Sequence, residues 1–222
     1  VLTTYILDHE ISSYLASVAV AEYELTEWAF YLANGDTIPV FLASQPANTA
    51  GLTSAFQNLE TVFNAFEDWF GDYRWPKVGY TVTPVGAMEH STNIAFPNIL
   101  ASPGFQSESV MAHELAHEWF GNLVTCADPK DMWLNEGWAE FCSILAYEAI
   151  ADEEEYISQI RSKHRDMLHK AHYLDGGFLT MNDIPQEATY GEHVYNKGAL
   201  MAHTLRNYIG DEVFFPTMTE YL

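Results

Sequence analysis

The sequence predicts an α+β domain, and three observations carry that reading. Strand-like patterns fall early in the chain and helical spacing takes over later. In addition, 48% of the 222 residues are hydrophobic, enough to form a substantial core. The expected architecture is a small mixed β-sheet followed by a mainly helical part. No run of eighteen uninterrupted apolar residues occurs, which argues against a membrane span.

The elements follow in order. Residues 12–25, SSYLASVAVAEYEL, alternate in β-rich fashion, and residues 36–43, DTIPVFLA, read as a second short strand. Turn residues around Pro46, Asn48 and Gly51 come next. Beyond them Leu52, Phe56, Leu59, Phe63, Phe66 and Phe70 recur at helical steps, predicting one amphipathic helix over 52–70 that ends at Gly71. Residues 77–85, KVGYTVTPV, predict a strand running straight into GAMEH at 86–90, and the following STNIAFPNILASPGF reads as irregular. A helix is predicted over 107–120, with Ser107 as N-cap, Glu108 at the positive end of the dipole and Gly121 as the stop. Another starts near Asp131 and runs through WLNEGWAEFCSILAYEAI. A charged helix over 153–172, a DGGF turn, and a helix over 195–208 closed by Gly210 complete the chain.

Nine basic residues against 31 acidic ones give a formal net charge of −22. That balance excludes nucleic acid as a partner, because phosphate contacts need Lys and Arg, and it disfavours an anionic membrane surface. A soluble, self-repelling surface is the plain reading, with attraction for cationic ligands as the functional one. The opening VLTTYILDHE lacks the basic flank and apolar core of a signal peptide. Cys126 and Cys142 form no CxxC pair; they could bond to each other or remain free thiols. The compartment stays open, with an extracytoplasmic setting (periplasmic or secreted) slightly ahead of a cytoplasmic one.

The chemistry concentrates in HELAHEWFGNLVT, residues 113–125. Positions four apart share a helix face, so His113 and His117 can aim two imidazoles at one Zn(II) ion. Glu114 is displaced by about a quarter of a turn and is placed to take a proton from a water at the metal rather than to bind it. Ala112, Leu115, Ala116 and Trp119 form the opposite, core-facing stripe. A catalytic zinc needs a third protein ligand, and Glu136 in WLNEG is the candidate. It sits among Trp133, Leu134 and Trp138, where an unpaired carboxylate is expensive. The HExxHxxGxxH pattern fails, since Phe120 and Leu123 occupy its Gly and His positions. His164, His169 and His172 lie on the charged helix and read as a solvated face.

These motifs, with GAMEH before them and VYNKG after them, resemble the gluzincin aminopeptidases, the family of alanyl aminopeptidase and leukotriene hydrolase. The resemblance runs from about Tyr14 to the end of the chain, in the family's order. It implies that residues 1–25 close an N-terminal β-domain and that residues 26–222 form a thermolysin-like zincin catalytic domain. It also implies that the family's downstream helical domain has no counterpart here, as in an excised catalytic region. One zinc per chain would be held by His113, His117 and Glu136, with Glu114 as general base. Glu89 matches the family's glutamate for the substrate's free α-amino group. Gly86, Ala87 and Met88 would accompany it, with Gly86 allowing close approach and a strand edge for an extended peptide. Tyr195 matches the family's catalytic tyrosine, a donor to the oxyanion. The implied partners are peptides with a free N-terminus, and the implied activity is hydrolysis of the N-terminal peptide bond.

Two positions depart from the family pattern. His90 stands where Asn is common, and Ser143 replaces the usual glutamate seven residues after Glu136, leaving support of a zinc ligand missing or supplied from elsewhere. The rival functions are a thermolysin-type zinc endopeptidase, which would ignore a blocked N-terminus, and a non-catalytic scaffold that keeps the fold. All five metal and catalytic positions are intact, which speaks against the scaffold.

Overall fold

A computed structural model describes residues 6–32 and 35–222. Four strands, β1 (Glu24–Tyr31), β2 (Thr37–Ser44), β3 (Val78–Thr83) and β4 (Ile94–Pro97), form one sheet in sequential order. The β1–β2 pair is antiparallel, whereas β2–β3 and β3–β4 are parallel, so the sheet is mixed as the sequence predicts. Among the described residues, seven α-helices pack on and beyond it: α1 (Thr49–Ala55), α2 (Leu59–Phe70), α3 (Phe105–Ala116), α4 (Glu136–Ile150), α5 (Glu153–Leu174), α6 (Gly198–Ile209) and α7 (Asp211–Tyr221). No described helix is long and apolar enough to cross a membrane.

Four expectations need correction. The alternating stretch 12–25 holds a short 3-10 turn, Ser13–Leu15, and enters the sheet only at Glu24. Val18 and Val20 are almost fully exposed, because alternation without a neighbouring strand buries nothing. Residues 1–5 lie outside the described residues. The single helix expected over 52–70 is two, α1 and α2. The break lets Phe56 drop edge-on between Tyr80 and Phe96 of the sheet, with ring centroids 4.7 and 4.9 Å away.

The irregular stretch after GAMEH contains β4, whose four residues are too few to alternate visibly. Finally, α7 was not expected after Gly210. Pro216 reads as a breaker, but Phe214 and Met218 lie one turn apart on a buried face that holds the helix around it.

Smaller shifts occur at helix ends. Gly104, not Ser107, caps α3; the Ser107 hydroxyl instead donates to the carbonyls of Leu100 and Ser102, 2.9 and 2.6 Å away. The helix ends at Ala116, although His117 keeps right-handed helical dihedrals (φ −59°, ψ −24°). A 3-10 segment, Pro129–Leu134, replaces the expected first turn of the next helix, so α4 starts at Glu136. Both cysteines are free thiols.

α4 is the central post of the molecule. It is buried from Glu136 to Ala139 and from Phe141 to Tyr147, and it contacts α2, α3, α5 and α6. A helix apolar nearly all round has to be enclosed in this way. Its crossing with α6 is unusually close. A Cβ on Gly137 would stand 2.8 Å from Cα of Gly198 and 2.9 Å from the Val194 carbonyl oxygen. Those are backbone atoms that cannot turn aside. Gly137→Ala is therefore expected to destabilise the fold by about 1–3 kcal/mol, measured by denaturant unfolding.

Candidate active site

Two helix ends bring the ionisable groups together. His113 and Glu114 lie in the last turn of α3, His117 caps it, and Glu136 opens α4, where the helix dipole favours a carboxylate. His113 Nε2 and His117 Nε2 are 3.1 Å apart, and Glu136 Oε2 lies 3.2 Å from the first and 3.3 Å from the second. The three donors thus form a nearly equilateral triangle. Ligands held at roughly 2.0–2.1 Å around a tetrahedral Zn²⁺ stand about 3.3 Å from one another, so the triangle has the size of one face of such a site.

Both imidazoles are oriented for this. Nδ1 of His117 donates to the Phe120 carbonyl at 3.0 Å, and Nδ1 of His113 donates to Glu140 Oε2 at 3.1 Å. Each Nε2 lone pair is left facing the centre. Gly121 is required here. Its φ is +132°, and a Cβ would meet the Asn135 side chain at 2.6 Å and Nδ1 of His117 at 3.0 Å.

The electrostatics match a cation site. Burial opposes charge on Glu136, but His117 and His113 outweigh it and hold the carboxyl far below its ordinary range. Burial likewise opposes charge on His117, yet Glu136 pushes its pKa up to about 9. Glu114 is different: burial dominates, the two histidines compensate only in part, and its pKa rises to about 7. Its Oε2 is buried with no hydrogen-bond partner in the protein. A carboxyl poised near neutrality with a free oxygen suits a proton acceptor.

Glu89 is buried, and its carboxylate lies within 4.8 Å of the donor atoms of Glu114 and His117. The loop that carries it is tied down at three points. Met88 exchanges backbone hydrogen bonds with Ala95 of β4 at 2.9 and 3.2 Å, and the Glu89 carbonyl accepts from Asn122 Nδ2 at 2.8 Å. The amide of Thr92, a residue with positive φ of 61°, donates to Glu118 Oε1 at 2.9 Å. Ala87, Met88 and Glu89 line a cavity of about 480 Å³ over the triad. Gly86 is exposed outside it. His90 is partly buried, which lowers its pKa, and its Nδ1 has no partner.

Tyr195 stacks on the His113 ring, centroids 6.0 Å apart and planes 20° from parallel. Burial first, then the charge and hydrogen bond of Glu136, raise its pKa, so the phenol keeps its proton. It sits in a π-helical turn, His193–Lys197, a local widening often found at functional sites. A buried pair anchors that turn: His193 Nδ1 lies 2.6 Å from Asp175 Oδ2, and His193 Nε2 accepts from the Leu179 amide at 2.9 Å.

The family model described as "Peptidase family M1 domain" matches residues 54–222. The chain belongs to peptidase family M1. Among the relatives of this M1 chain, glutamyl aminopeptidase of Sus scrofa is 30% identical over 241 residues, covering 99% of the chain and 25% of that protein. Aminopeptidase M1-B of Oryza sativa subsp. japonica is 29% identical over 232 residues, covering 96% of the chain and 26% of that protein. The chain therefore spans about a quarter of the length of these relatives. A mutant M1 zinc metallopeptidase from Deinococcus radiodurans, solved with a Tyr-Ser-Ala substrate, superposes with a TM-score of 0.74 at 25% identity, covering 89% of this chain and 44% of that one. The mixed sheet and helical part are thus the M1 catalytic architecture.

Several site residues of this M1 domain escaped the sequence reading. Tyr14, Tyr190 and Met132 line the cavity from distant segments, and nothing in their local sequence marks them. Glu118 and Asn122 follow HExxH directly, yet their partners are in the Glu89 loop. Glu118 is almost completely buried. Burial outweighs its hydrogen bonds from Thr92 and Asn122 and pushes its pKa up to about 8. The folded state therefore holds a proton that the unfolded chain releases above its ordinary value of 4.5. The associated stability is complete below that value and is lost as pH rises towards about 8. Glu118→Gln, neutral and of equal size, is expected to melt above the wild type at pH 8, with the gap closing by pH 5. Melting curves across that range check this.

Proposed function

We propose that this chain is the catalytic domain of a zinc aminopeptidase, with His113, His117 and Glu136 as the metal ligands and one zinc per chain. Two imidazoles and one carboxylate, arranged on one face with the opposite side open to the cavity, fit a catalytic rather than a structural zinc. The observation that carries the aminopeptidase reading is the buried Glu89 carboxylate beside Glu114 and His117. A fixed negative charge at that distance suits a substrate whose α-ammonium ends the chain next to the scissile bond.

When bound, zinc supplies a Lewis acid that polarises the peptide carbonyl and makes an attacking water acidic at neutral pH. Glu89 holds the ammonium and sets the register, so that only the first peptide bond lies at the reacting position. Glu114 takes the proton of the attacking water and returns it to the leaving amine. The Tyr195 hydroxyl donates to the carbonyl oxygen as negative charge develops there. Because Met88 is paired with Ala95, alternation along the strand turns the amides of Ala87 and Glu89 the other way, and Ala87 can pair with an extended peptide. Gly86 lies exposed at the end of that edge, where a Cβ would meet no atom of the protein within 4 Å. We also propose that residues 1–25 belong to a preceding β-domain and that the catalytic domain occupies 26–222, with the shared β1 crossing that boundary.

Reconstitution tests this function. Chelator-stripped protein given one equivalent of zinc is expected to regain hydrolysis of an alanyl or leucyl amide. Stoichiometric zinc without any hydrolysis would contradict the catalytic reading.

A further inference from the structure

Position 143, where the family resemblance expects a carboxylate, holds a serine whose hydroxyl is buried and donates to the Glu140 carbonyl at 2.8 Å. The acid that meets Nδ1 of His113 is one helical turn earlier. Glu140 Oε2 faces Nδ1 of His113 at 3.1 Å, and its other oxygen pairs with Nζ of Lys163 from α5. With both oxygens engaged and both side chains largely buried, Glu140 is free to act neither as a base nor as a substrate anchor. It also lies on the Nδ1 side of the ring, away from the metal ligand atom.

We propose that Glu140, braced by Lys163, is the positioning residue that orients His113 toward the metal, a task moved along α4 from position 143. The proposal rests on the metal-centre reading above. Its chemistry is that of a carboxylate–histidine–metal relay: an acceptor-only oxygen fixes the proton on Nδ1, which leaves Nε2 as a ligand and makes the ring more basic. Lys163 serves twice. It occupies the oxygen that the histidine does not use, and it ties the metal ligand to α5. Positions 136, 140 and 143 are spaced by four and three residues and share one face of α4. A carboxylate at 143 therefore points toward the same ring from the next turn.

The test is a reciprocal exchange, read as zinc affinity and as the rate of zinc release to a chelator. Melting of the zinc-free proteins serves as a check on folding. Glu140→Ala is expected to weaken zinc binding by about 10–100-fold. Lys163→Met, in which the carboxylate survives unbraced, is expected to give a smaller loss of the same sign. The exchange E140S/S143E is expected to recover most of the affinity lost in Glu140→Ala. A purely structural Glu140 would not be rescued by a carboxylate one turn away. Unchanged zinc affinity in folded Glu140→Ala, or in Lys163→Met should Glu140→Ala not fold, would overturn the proposal. So would an exchange variant no better than Glu140→Ala. Failure of the wild type to bind zinc at all would instead overturn the metal-centre reading and this proposal with it.

Discussion

Glu114→Gln is expected to lower kcat on an amino-acyl amide by roughly 10²–10⁴, the range of a lost general base, while zinc content stays at one per chain. The reason lies in the division of labour between neighbours on α3. Glu114 lines the cavity and its buried Oε2 has no partner in the protein, whereas Nε2 of His113 and of His117, the proposed ligand atoms, face Glu136. Glutamine keeps the size and removes the basicity. It also removes a buried carboxyl whose pKa burial has lifted to about 7, so the variant is not expected to be less stable. Parallel measurement of turnover and of bound zinc checks this. Loss of both together would place Glu114 among the ligands.

Tyr195→Phe is expected to reduce kcat by about 10²–10³, the effect of removing one oxyanion donor, with little change in KM and none in zinc content. The ring would still stack on His113 at the observed 6.0 Å spacing, so only the hydroxyl is lost. Its pKa stays above the ordinary phenol value because of burial and the charge of Glu136, so the donor remains protonated throughout the working range. A variant that lost KM instead of kcat would show Tyr195 to be a binding rather than a transition-state contact.

Legibility in the sequence followed the locality of each signal. His113, Glu114 and His117 lie within one helical turn and a half, and Glu136 among tryptophans is costly unless paired; the structure brings all four together. The amine-anchor role proposed for Glu89 comes only through family resemblance, since a loop carboxylate has no local signature. The same holds for Tyr195, a tyrosine at a helix start. What stayed hidden depends on partners far along the chain. Glu140 looks like any polar residue on a helix until His113 and Lys163 are seen around it. Asn122 acquires meaning from the Glu89 carbonyl, 33 residues earlier. In the fold, β4 is too short to show a period, and α7 is masked by Pro216. The break between α1 and α2 is invisible because the apolar rhythm of residues 52–70 continues through it. Packing of Phe56 into the sheet decided it.

The most direct test of the aminopeptidase reading compares hydrolysis of a leucyl or alanyl amide with that of its N-acetylated twin, using zinc-loaded protein. A strong preference for the free amine, lost in Glu89→Ala, is the predicted result. Equal cleavage of both substrates would contradict it and identify an endopeptidase instead.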